Sequence, residues 1–170
     1  MGSDNMTKIL LIIPAYNEAE NILKVYNSIQ DYNQKHQANY DILVVNDGSK
    51  DNTEEILSKN NINHIKLIHN LGIGGAVQTG YKYALENNYD IAIQFDGDGQ
   101  HDVKYVNTIV KPIVNGQANM VIGSRFIDKN SSKFKSSASR RLGIKIISNV
   151  IKIKTGAKIY DTTSGFRAVD

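Results

Sequence analysis

Cysteine is absent from all 170 residues of the sequence. Its absence excludes a disulfide framework, a thiolate metal site and a cysteine nucleophile, and it fits a cytoplasmic location. Long apolar runs are absent too. None reaches the ~20 residues that span a bilayer, and the sequence does not open with a basic and then apolar signal peptide. We therefore expect a cytoplasmic protein without a membrane span.

The length and composition suit one domain. Hydrophobic residues make up 41% of the sequence, which is enough for a sizeable core and too many for a disordered chain. Residues 1–5 (MGSDN) are typical of a cloning remnant ahead of a native start at Met6. We interpret 6–170 as a single domain that is cut short at its C-terminus, because no terminating element is predicted there.

Charge is divided unevenly along the chain. Residues 1–124 contain 9 Lys or Arg against 14 Asp or Glu, whereas residues 125–170 contain 11 against 3. A basic final quarter suits an anionic partner, which means phosphate groups, nucleic acid or a lipid surface. A solvated lysine-rich face explains many of the same residues without any partner.

Short apolar runs alternate with segments of helical periodicity. Residues 8–13 and 41–45 are apolar runs typical of strands buried on both faces. Because strands and helices follow one another through short loops, we predict an α/β fold: a mostly parallel sheet with helices on both faces. Asp51 and Glu54 are predicted to cap the second helix, and Pro112 to shorten the fourth. Strands are predicted at 8–13, 41–45, 62–68, 90–95, 119–122 and 158–160, and helices at 18–35, 51–58, 74–86, 103–114 and 140–154.

Four loops each follow a predicted strand directly. In open α/β sheets, ligands bind beyond the carboxyl ends of the strands. We therefore expect these loops to surround one cleft, although they come from distant parts of the chain. They are Pro14–Glu18, Asn46–Ser49, His69–Gly74 and Asp96–Gln100.

Asp96 and Asp98 are the clearest candidates for chemistry. They stand one residue apart after a buried strand, with glycines between and after them. Such a pair can turn two carboxylates toward one divalent cation, and oxygen ligands favour Mg²⁺ or Mn²⁺. An ordinary acidic turn has a similar sequence. An EF-hand is excluded, because its glycine would fall on His101 and its closing glutamate on Asn107. His101 is interpreted as a packing residue or as a further group beside the metal.

Two other loops have weaker signals. Residues 70–76 (NLGIGGA) fail the dinucleotide fingerprint at Val77 and the P-loop pattern at Tyr81. What remains is a helix N-terminus near Gly74, whose amides suit a phosphate or are merely structural. Asp47 suits a hydrogen bond from a nucleobase imide or a ribose hydroxyl, but an Asp-Gly-Ser turn is also a common structural feature.

Six motifs together resemble the family 2 glycosyltransferases, which have a GT-A fold. They occur in the family's order between residues 12 and 168, nearly the whole chain. The resemblance is strongest to the synthases of dolichyl- and polyprenyl-phosphate sugars, mainly through the last two motifs. In chain order the motifs are IIPAYNEAENI, VVNDGSKDNT, NLGIGGAVQTGYKYA, IQFDGDGQHD, VIGSRF and DTTSGFRA.

The resemblance implies roles for individual residues. The residues expected at the nucleotide are Pro14, Ala15, Tyr16, Glu18, Asp47, Gly74 and Asp96. Those expected at the metal are Asp96, Asp98 and Gln100, and those at an acceptor phosphate are Arg125, Arg140 and Arg141. Asn46 departs from the Asp-Asp-Gly-Ser of many relatives. Because Asp47 is retained, base recognition is expected to survive.

The resemblance also implies the reaction: inverting transfer of a sugar from a UDP- or GDP-sugar by direct displacement. Negative charge grows on the departing diphosphate, so a divalent cation there stabilises the transition state more than the ground state. A hydroxyl acceptor would need a general base, for which Asp161 is the candidate. A polyprenyl phosphate is already ionised and needs only positioning by arginines such as Arg125. The basic final quarter favours this lipid acceptor and peripheral association with the inner face of the membrane.

Other functions share parts of this pattern. One is sugar transfer to a glycan or another hydroxyl acceptor in cell-surface polysaccharide synthesis. A sugar nucleotidyltransferase is disfavoured, since residues 14–17 (PAYN) replace its glycine-rich and basic loop. A non-catalytic nucleotide-binding domain stays open. Nucleic acid is not expected as a partner, because the basic segment has few aromatic residues for stacking and no recognisable binding module.

Overall fold

The computed structural model describes residues 7–97, 101–124 and 164–170. Strands and helices alternate within them, as the apolar pattern predicts. The strands are β1 (Ile9–Ala15), β2 (Tyr40–Asn46), β3 (His64–Lys66), β4 (Ile91–Gln94), β5 (Met120–Ile122) and β6 (Arg167–Val169). The helices are α1 (Ile22–His36), α2 (Thr53–Lys59), α3 (Gly72–Glu86) and α4 (Val106–Val114), and a 3₁₀ turn at Val103–Tyr105 leads into α4.

The six strands form one sheet in the order β3-β2-β1-β4-β6-β5. The first four strands are parallel to one another, with Leu11 opposite Ile42 on one side and Ile93 on the other. β6 lies antiparallel between β4 and β5. The prediction of a mostly parallel sheet is therefore confirmed.

Helices cover both faces of this sheet. Successive side chains of a strand point to opposite faces, so Leu11 and Ile13 of β1 pack in a cluster with residues of α1, α2 and α4. Leu10 and Ile12 instead pack in a second cluster, with Ala76 of α3. The central strands are apolar without interruption because neither face meets water.

The end of the chain differs from the prediction. No terminating element was expected there, yet Arg167–Val169 form β6 and pair with both Ala92–Gln94 and Met120–Ile122. A three-residue strand that includes an arginine is too short to give a periodic apolar signal. Its position depends on pairing with strands that are distant in the sequence.

Two helix starts also differ from the prediction. α1 begins at Ile22 rather than Glu18. The backbone N–H groups of Glu18 and Ala19 donate to the side chains of Thr53 in α2 and Asp51 in the β2–α2 loop, which hold this segment in a turn before the helix. α3 begins at Gly72, two residues before the predicted Gly74. Gly72 has φ +75, a conformation that glycine adopts without strain.

Both prolines lie inside regular elements. The position of the backbone N–H that proline lacks is directed toward β4 at Pro14. Because β4 pairs with β1 only as far as Ile12, Pro14 removes no hydrogen bond from the sheet. Pro112 was predicted to shorten the fourth helix, but α4 continues to Val114. Pro112 has no N–H to donate to the carbonyl of Thr108. Thr108 is on the exposed side of α4, where a water molecule can donate to that carbonyl instead.

Some predicted elements lie outside the described residues, namely the helix at 140–154 and the strand at 158–160. In the ranges that are described, none of the helices combines the length and the apolar character that crossing a bilayer requires.

Gly80→Ala is expected to destabilise the fold. A Cβ atom at Gly80 would lie 2.3 Å from Cγ2 of Ile12, which is completely buried in β1. The overpacking should cost about 1–3 kcal/mol, more than the ~1 kcal/mol that alanine gains over glycine in a helix. Urea unfolding measures the difference. Gly74→Ala in the same helix is the control, because its Cβ atom meets nothing within 4 Å, and stability should rise slightly. An unchanged free energy of unfolding for Gly80→Ala would contradict the close approach of α3 and β1.

Candidate functional site

Three contacts join the loops that follow β1 to β4. The backbone N–H of Asp47 donates to the carbonyl of Ala15 at 2.8 Å. The N–H of Leu71 donates to Oδ1 of Asp47 at 2.7 Å. Gly97 packs so closely on β1 that a Cβ atom there would lie 3.3 Å from the carbonyl oxygen of Pro14. The four loops therefore lie side by side at one edge of the sheet.

Asp47 has a structural role, which was one of the two interpretations of its Asp-Gly-Ser turn. The residue is 3% exposed, and its Oδ1 fixes the loop before α3 through Leu71. Gly48 follows with φ +69, and a Cβ atom there would lie 2.9 Å from the backbone nitrogen of Asn70. Glycine is required at this position because the two loops touch and the backbone is left-handed.

The β1–α1 loop is held by the β2–α2 loop and by the first residue of α2. The four hydrogen bonds run from N of Asn17 to Oγ of Ser49 (3.0 Å), from N of Lys50 to Oδ1 of Asn17 (2.8 Å), from N of Glu18 to Oγ1 of Thr53 (2.9 Å) and from N of Ala19 to Oδ2 of Asp51 (3.1 Å). Tyr16 precedes these residues, directly after β1, and is 42% exposed. A loop fixed at four points can present such a side chain in one orientation.

Of the predicted capping pair, Asp51 binds the first backbone N–H of α2, but Glu54 does not reach back to cap the helix. Asp51 accepts from the backbone and hydroxyl of Thr53. Glu54 turns instead to the completely buried Asn46, whose Nδ2 donates to Oε2 of Glu54 at 2.6 Å. Burial pushes the pKa of Glu54 upward, but hydrogen bonds from Asn46 and His64 and the charges of His64 and Lys66 outweigh it. The pKa of Glu54 is therefore held below its ordinary value.

Asn46→Asp is expected to lower stability by about 2 kcal/mol at neutral pH, because a second carboxylate would face Glu54 in a buried position. Two carboxylates that share a proton have one raised pKa. The penalty should therefore be full above that raised pKa and shrink as pH falls through it. Chemical unfolding between pH 4 and 8 measures this dependence.

The double variant Asn46→Asp, Glu54→Gln is the matched control. It exchanges the carboxylate and the amide across the same 2.6 Å contact, so most of the lost stability should return. Equal destabilisation in the single and double variants would contradict a charge-based cause. The amide of Asn46 is thus used on both sides, since its Nδ2 donates to Glu54 and its Oδ1 accepts from the backbone N–H of Ser49.

Asp96 follows β4 and has both carboxylate oxygens near donors. Nε2 of Gln94 donates to Oδ1 at 3.2 Å, and Nε2 of His101 lies 3.4 Å from Oδ2. Its side chain is 26% exposed, so the carboxylate is partly accessible to a cation. A hard carboxylate ligand of this kind fits Mg²⁺ or Mn²⁺. The described ranges contain no group of three or more His, Asp or Glu residues that could hold a metal by themselves.

The C-terminal segment also contacts Asp96, a position that sequence reasoning missed. A Cβ atom at Gly165 would lie 2.5 Å from Oδ2 of Asp96. The ring of Phe166 packs 5.0 Å from that of His101 and 6.0 Å from that of Phe95. The available signal was the DTTSGFRA motif, whose glycine and phenylalanine had been assigned no role.

Several predicted site residues are placed by the structure. Ala15 is buried in β1, Pro14 is partly buried beside it, and Gly74 is exposed in the first turn of α3. Others lie outside the described residues, and their roles stay predictions. These are Asp98, Gln100, Arg125, Arg140, Arg141 and Asp161.

Comparison with known proteins finds relatives whose sequence similarity includes all four loops. The family model described as Glycosyl transferase family 2 matches residues 10–170. A UDP-N-acetylglucosamine–dolichyl-phosphate N-acetylglucosaminyltransferase of Methanococcus voltae is 38% identical, over 94% of this chain and 68% of its own. An undecaprenyl-phosphate mannosyltransferase of Micrococcus luteus is 28% identical, over 95% of this chain and 65% of its own. The chain thus spans about two thirds of the length of these relatives.

Solved structures support the fold. Glucosyl-3-phosphoglycerate synthase of Mycobacterium tuberculosis, in complex with Mn²⁺, uridine diphosphate and phosphoglyceric acid, superposes with a TM-score of 0.69. It is 19% identical in sequence, over 97% of this chain and 56% of its own. At that level of identity the likeness concerns the fold alone, and it confirms the predicted GT-A architecture.

Proposed function

The chain belongs to glycosyl transferase family 2, and on that premise we propose that this glycosyltransferase moves a sugar from a UDP- or GDP-sugar to a polyprenyl phosphate, with inversion. One observation supports the donor site above all. Two acidic residues, Asp47 after β2 and Asp96 after β4, lie at the same edge of the sheet. Both of their loops contact the end of β1: Asp47 hydrogen-bonds to Ala15, and Gly97, next to Asp96, packs on Pro14. This is the edge at which α/β sheets bind nucleotides.

The nucleotide would lie across the loops that follow β1 and β2. Tyr16 is exposed where a base can stack, and Oδ1 of Asp47 already binds Leu71. Its second oxygen would accept a hydrogen bond from a base imide or a ribose hydroxyl. Pro14, Ala15, Glu18 and Gly74 belong to the same loops and would shape the pocket.

Asp96 would hold the divalent cation, together with Asp98 and Gln100. When bound, Mg²⁺ or Mn²⁺ supplies positive charge beside the diphosphate that departs. The surroundings of Asp96 fit this role, because Gln94 donates to Oδ1 while the side chain stays 26% exposed. The solved synthase with Mn²⁺ and uridine diphosphate supports such a cation in this fold.

The acceptor is proposed from charge and from relatives. The segment from residue 125 contains 11 basic against 3 acidic residues, and both sequence relatives act on lipid phosphates by name. Arg125, Arg140 and Arg141 would bind the acceptor phosphate, which needs no general base because it is ionised. A lipid acceptor implies reaction at the cytoplasmic face of a membrane. Asp161 would become the general base only for a hydroxyl acceptor.

Two measurements test the proposal. Thermal unfolding with UDP, GDP, CDP and ADP, with and without Mn²⁺, should show stabilisation by one diphosphate only when metal is present. A ligand at about 100 times its dissociation constant raises the free energy of unfolding by ~2.7 kcal/mol. Transfer is then measured from UDP-N-acetylglucosamine and from GDP-mannose to dolichyl phosphate in detergent.

Dolichol, which lacks the phosphate, is the matched control acceptor. Product from dolichyl phosphate alone supports the proposal. Product from dolichol, or from a glycan, supports the hydroxyl-acceptor alternative. Metal-dependent binding without any transfer supports a non-catalytic domain, and the absence of all nucleotide binding would overturn the donor site.

A further inference from the structure

We propose that the β3–α3 loop and the first turn of α3 insert into the surface of an anionic lipid bilayer. Three apolar side chains, Ile68, Leu71 and Ile73, would make the contact, and together they are called the apolar patch. The inference rests on the proposed function, because a polyprenyl-phosphate acceptor brings the enzyme to a membrane. It adds the surface of the protein that meets the lipid.

The apolar patch stands out by its exposure. Ile68 is 88% exposed, and Leu71 and Ile73 are each 61% exposed. Single apolar side chains are common on protein surfaces, whereas three within six consecutive positions form a local concentration that calls for a partner. Elsewhere in the described ranges, no exposed large apolar residue lies within five positions of another.

The patch is fixed to the body of the protein. The backbone N–H of Leu67 donates to the carbonyl of Asn46 at 2.8 Å, and that of Leu71 donates to Oδ1 of Asp47 at 2.7 Å. The side chain of Leu71 lies over Gly75, where an added Cβ atom would be 2.5 Å from Cβ of Leu71. Because these contacts hold the backbone on both sides of Ile68, the exposure of the patch is a property of the fold.

The charge around the patch suits an anionic surface. Residues 56–85 contain three lysines and two histidines but no aspartate or glutamate. Lys66 stands two positions before Ile68; its side chain is 57% exposed and only loosely paired with Glu54, at 3.9 Å. His69, next to Ile68, is exposed as well. Apolar side chains that enter the interface beside lysines that attract anionic headgroups are typical of peripheral membrane contacts.

The patch lies at the edge of the sheet that the acceptor has to reach. Leu71 hydrogen-bonds to Asp47, the residue proposed at the nucleotide, so one contact joins the patch to the donor site. A polyprenyl chain stays in the bilayer, and its phosphate therefore meets the donor only where this edge approaches the membrane surface. An apolar patch beside the site would hold the edge at that surface.

The size of the patch favours a bilayer over a protein partner. A specific protein interface uses about 20–30 residues on each side, and the patch has three apolar residues on one loop and one helical turn. A bilayer requires no matching shape. A few apolar side chains with nearby basic residues are enough for reversible binding to it.

Fluorescence tests the insertion directly, because the sequence contains no tryptophan. Ile68→Trp places a single reporter in the patch, and Leu85→Trp is the matched control, at a leucine that is 79% exposed near the other end of α3. The vesicles contain phosphatidylcholine and phosphatidylglycerol but no polyprenyl phosphate. With them, the emission of Ile68→Trp should shift to shorter wavelength and be quenched by brominated lipid, and that of Leu85→Trp should not change.

Vesicle sedimentation measures how much the patch contributes to binding. The double variant Ile68→Ser, Ile73→Ser should bind the same vesicles about tenfold more weakly or less still, since burying one isoleucine side chain is already worth a factor of about ten. Leu85→Ser, Val114→Ser removes two exposed apolar side chains elsewhere and should bind as wild type does. A thermal melt of each variant establishes that it is folded.

Three results would overturn the inference. The first is an emission of folded Ile68→Trp that vesicles leave unchanged. The second is an equal shift with phosphatidylcholine alone, which would remove the role of charge. The third is a shift that grows with protein concentration without vesicles, which would make a second copy of the chain the occupant of the patch.

The proposed function is tested apart from this inference, by transfer to dolichyl phosphate in detergent, where no bilayer is present. Transfer in detergent without insertion into vesicles would overturn the membrane contact alone. Insertion without any transfer would overturn the proposed function and leave the membrane contact standing.

Discussion

An Asp96→Asn variant is expected to stay folded and to lose metal-dependent nucleotide binding. Asparagine keeps the size of the side chain and an oxygen that can accept from Gln94, so the fold should tolerate it. The substitution removes the negative charge that a divalent cation requires. We expect the affinity for the diphosphate in the presence of Mn²⁺ to fall about 100-fold or more, since even the loss of a supporting group costs about 10–100-fold. Isothermal titration calorimetry with and without Mn²⁺ measures the effect.

Asp102→Asn is the matched control for this substitution. It makes the same chemical change in the same loop, but Asp102 is exposed and pairs with Lys104 at 2.7 Å. Asparagine can still accept from the backbone N–H of Lys104, as Asp102 does. Binding in this control should match that of wild type. Wild-type affinity in Asp96→Asn would remove Asp96 from the metal site.

Gly165→Ala is expected to have the second-largest effect. The backbone of Gly165 is not left-handed, so alanine is conformationally allowed, and the nearest obstacle is the carboxylate of Asp96 at 2.5 Å. That carboxylate would have to rotate away from Gln94 and His101. We expect about a tenfold or greater loss of affinity for the diphosphate with Mn²⁺, as for other groups that orient a ligand. The same calorimetric titration measures it.

A double variant shows whether Gly165 acts through Asp96. Adding Gly165→Ala to Asp96→Asn should cause little further loss of metal-dependent binding, because the affected ligand is already gone. Losses that simply add would mean that Gly165→Ala disturbs the nucleotide by another route. A parallel thermal melt of each variant establishes that the protein is folded.

The central part of the fold could be predicted because burial dictates its sequence. β1, β2 and β4 lie between two layers of helices, so their apolar runs were visible without any structure. β6 was missed because Arg167–Val169 are a strand only through pairing with β4 and β5. The start of α1 was misplaced for a related reason: Thr53 and Asp51, more than thirty positions away, bind the N–H groups before it.

The site could be predicted as a set of loops but not as a set of contacts. The rule that ligands bind beyond strand ends identified the loops of Asp47 and Asp96. It did not show that Asp47 fixes Leu71, or that Asn46 and Glu54 pair in place of a helix cap. Such contacts depend on side-chain orientation and on the distance between loops. Neither is encoded in the spacing of residues along one segment.

The placement of β6 has a consequence for the order in which the protein assembles during its synthesis. Gln94 and Arg167 are neighbours in the sheet but stand 73 positions apart in the chain. In the described sheet, β5 pairs with β6 alone, so it has no partner until the ribosome has released Val169. Contacts between such distant segments form slowly. The nascent chain would therefore complete β1 to β4 first and leave the edge beside Asp96 open to chaperones until β6 arrives.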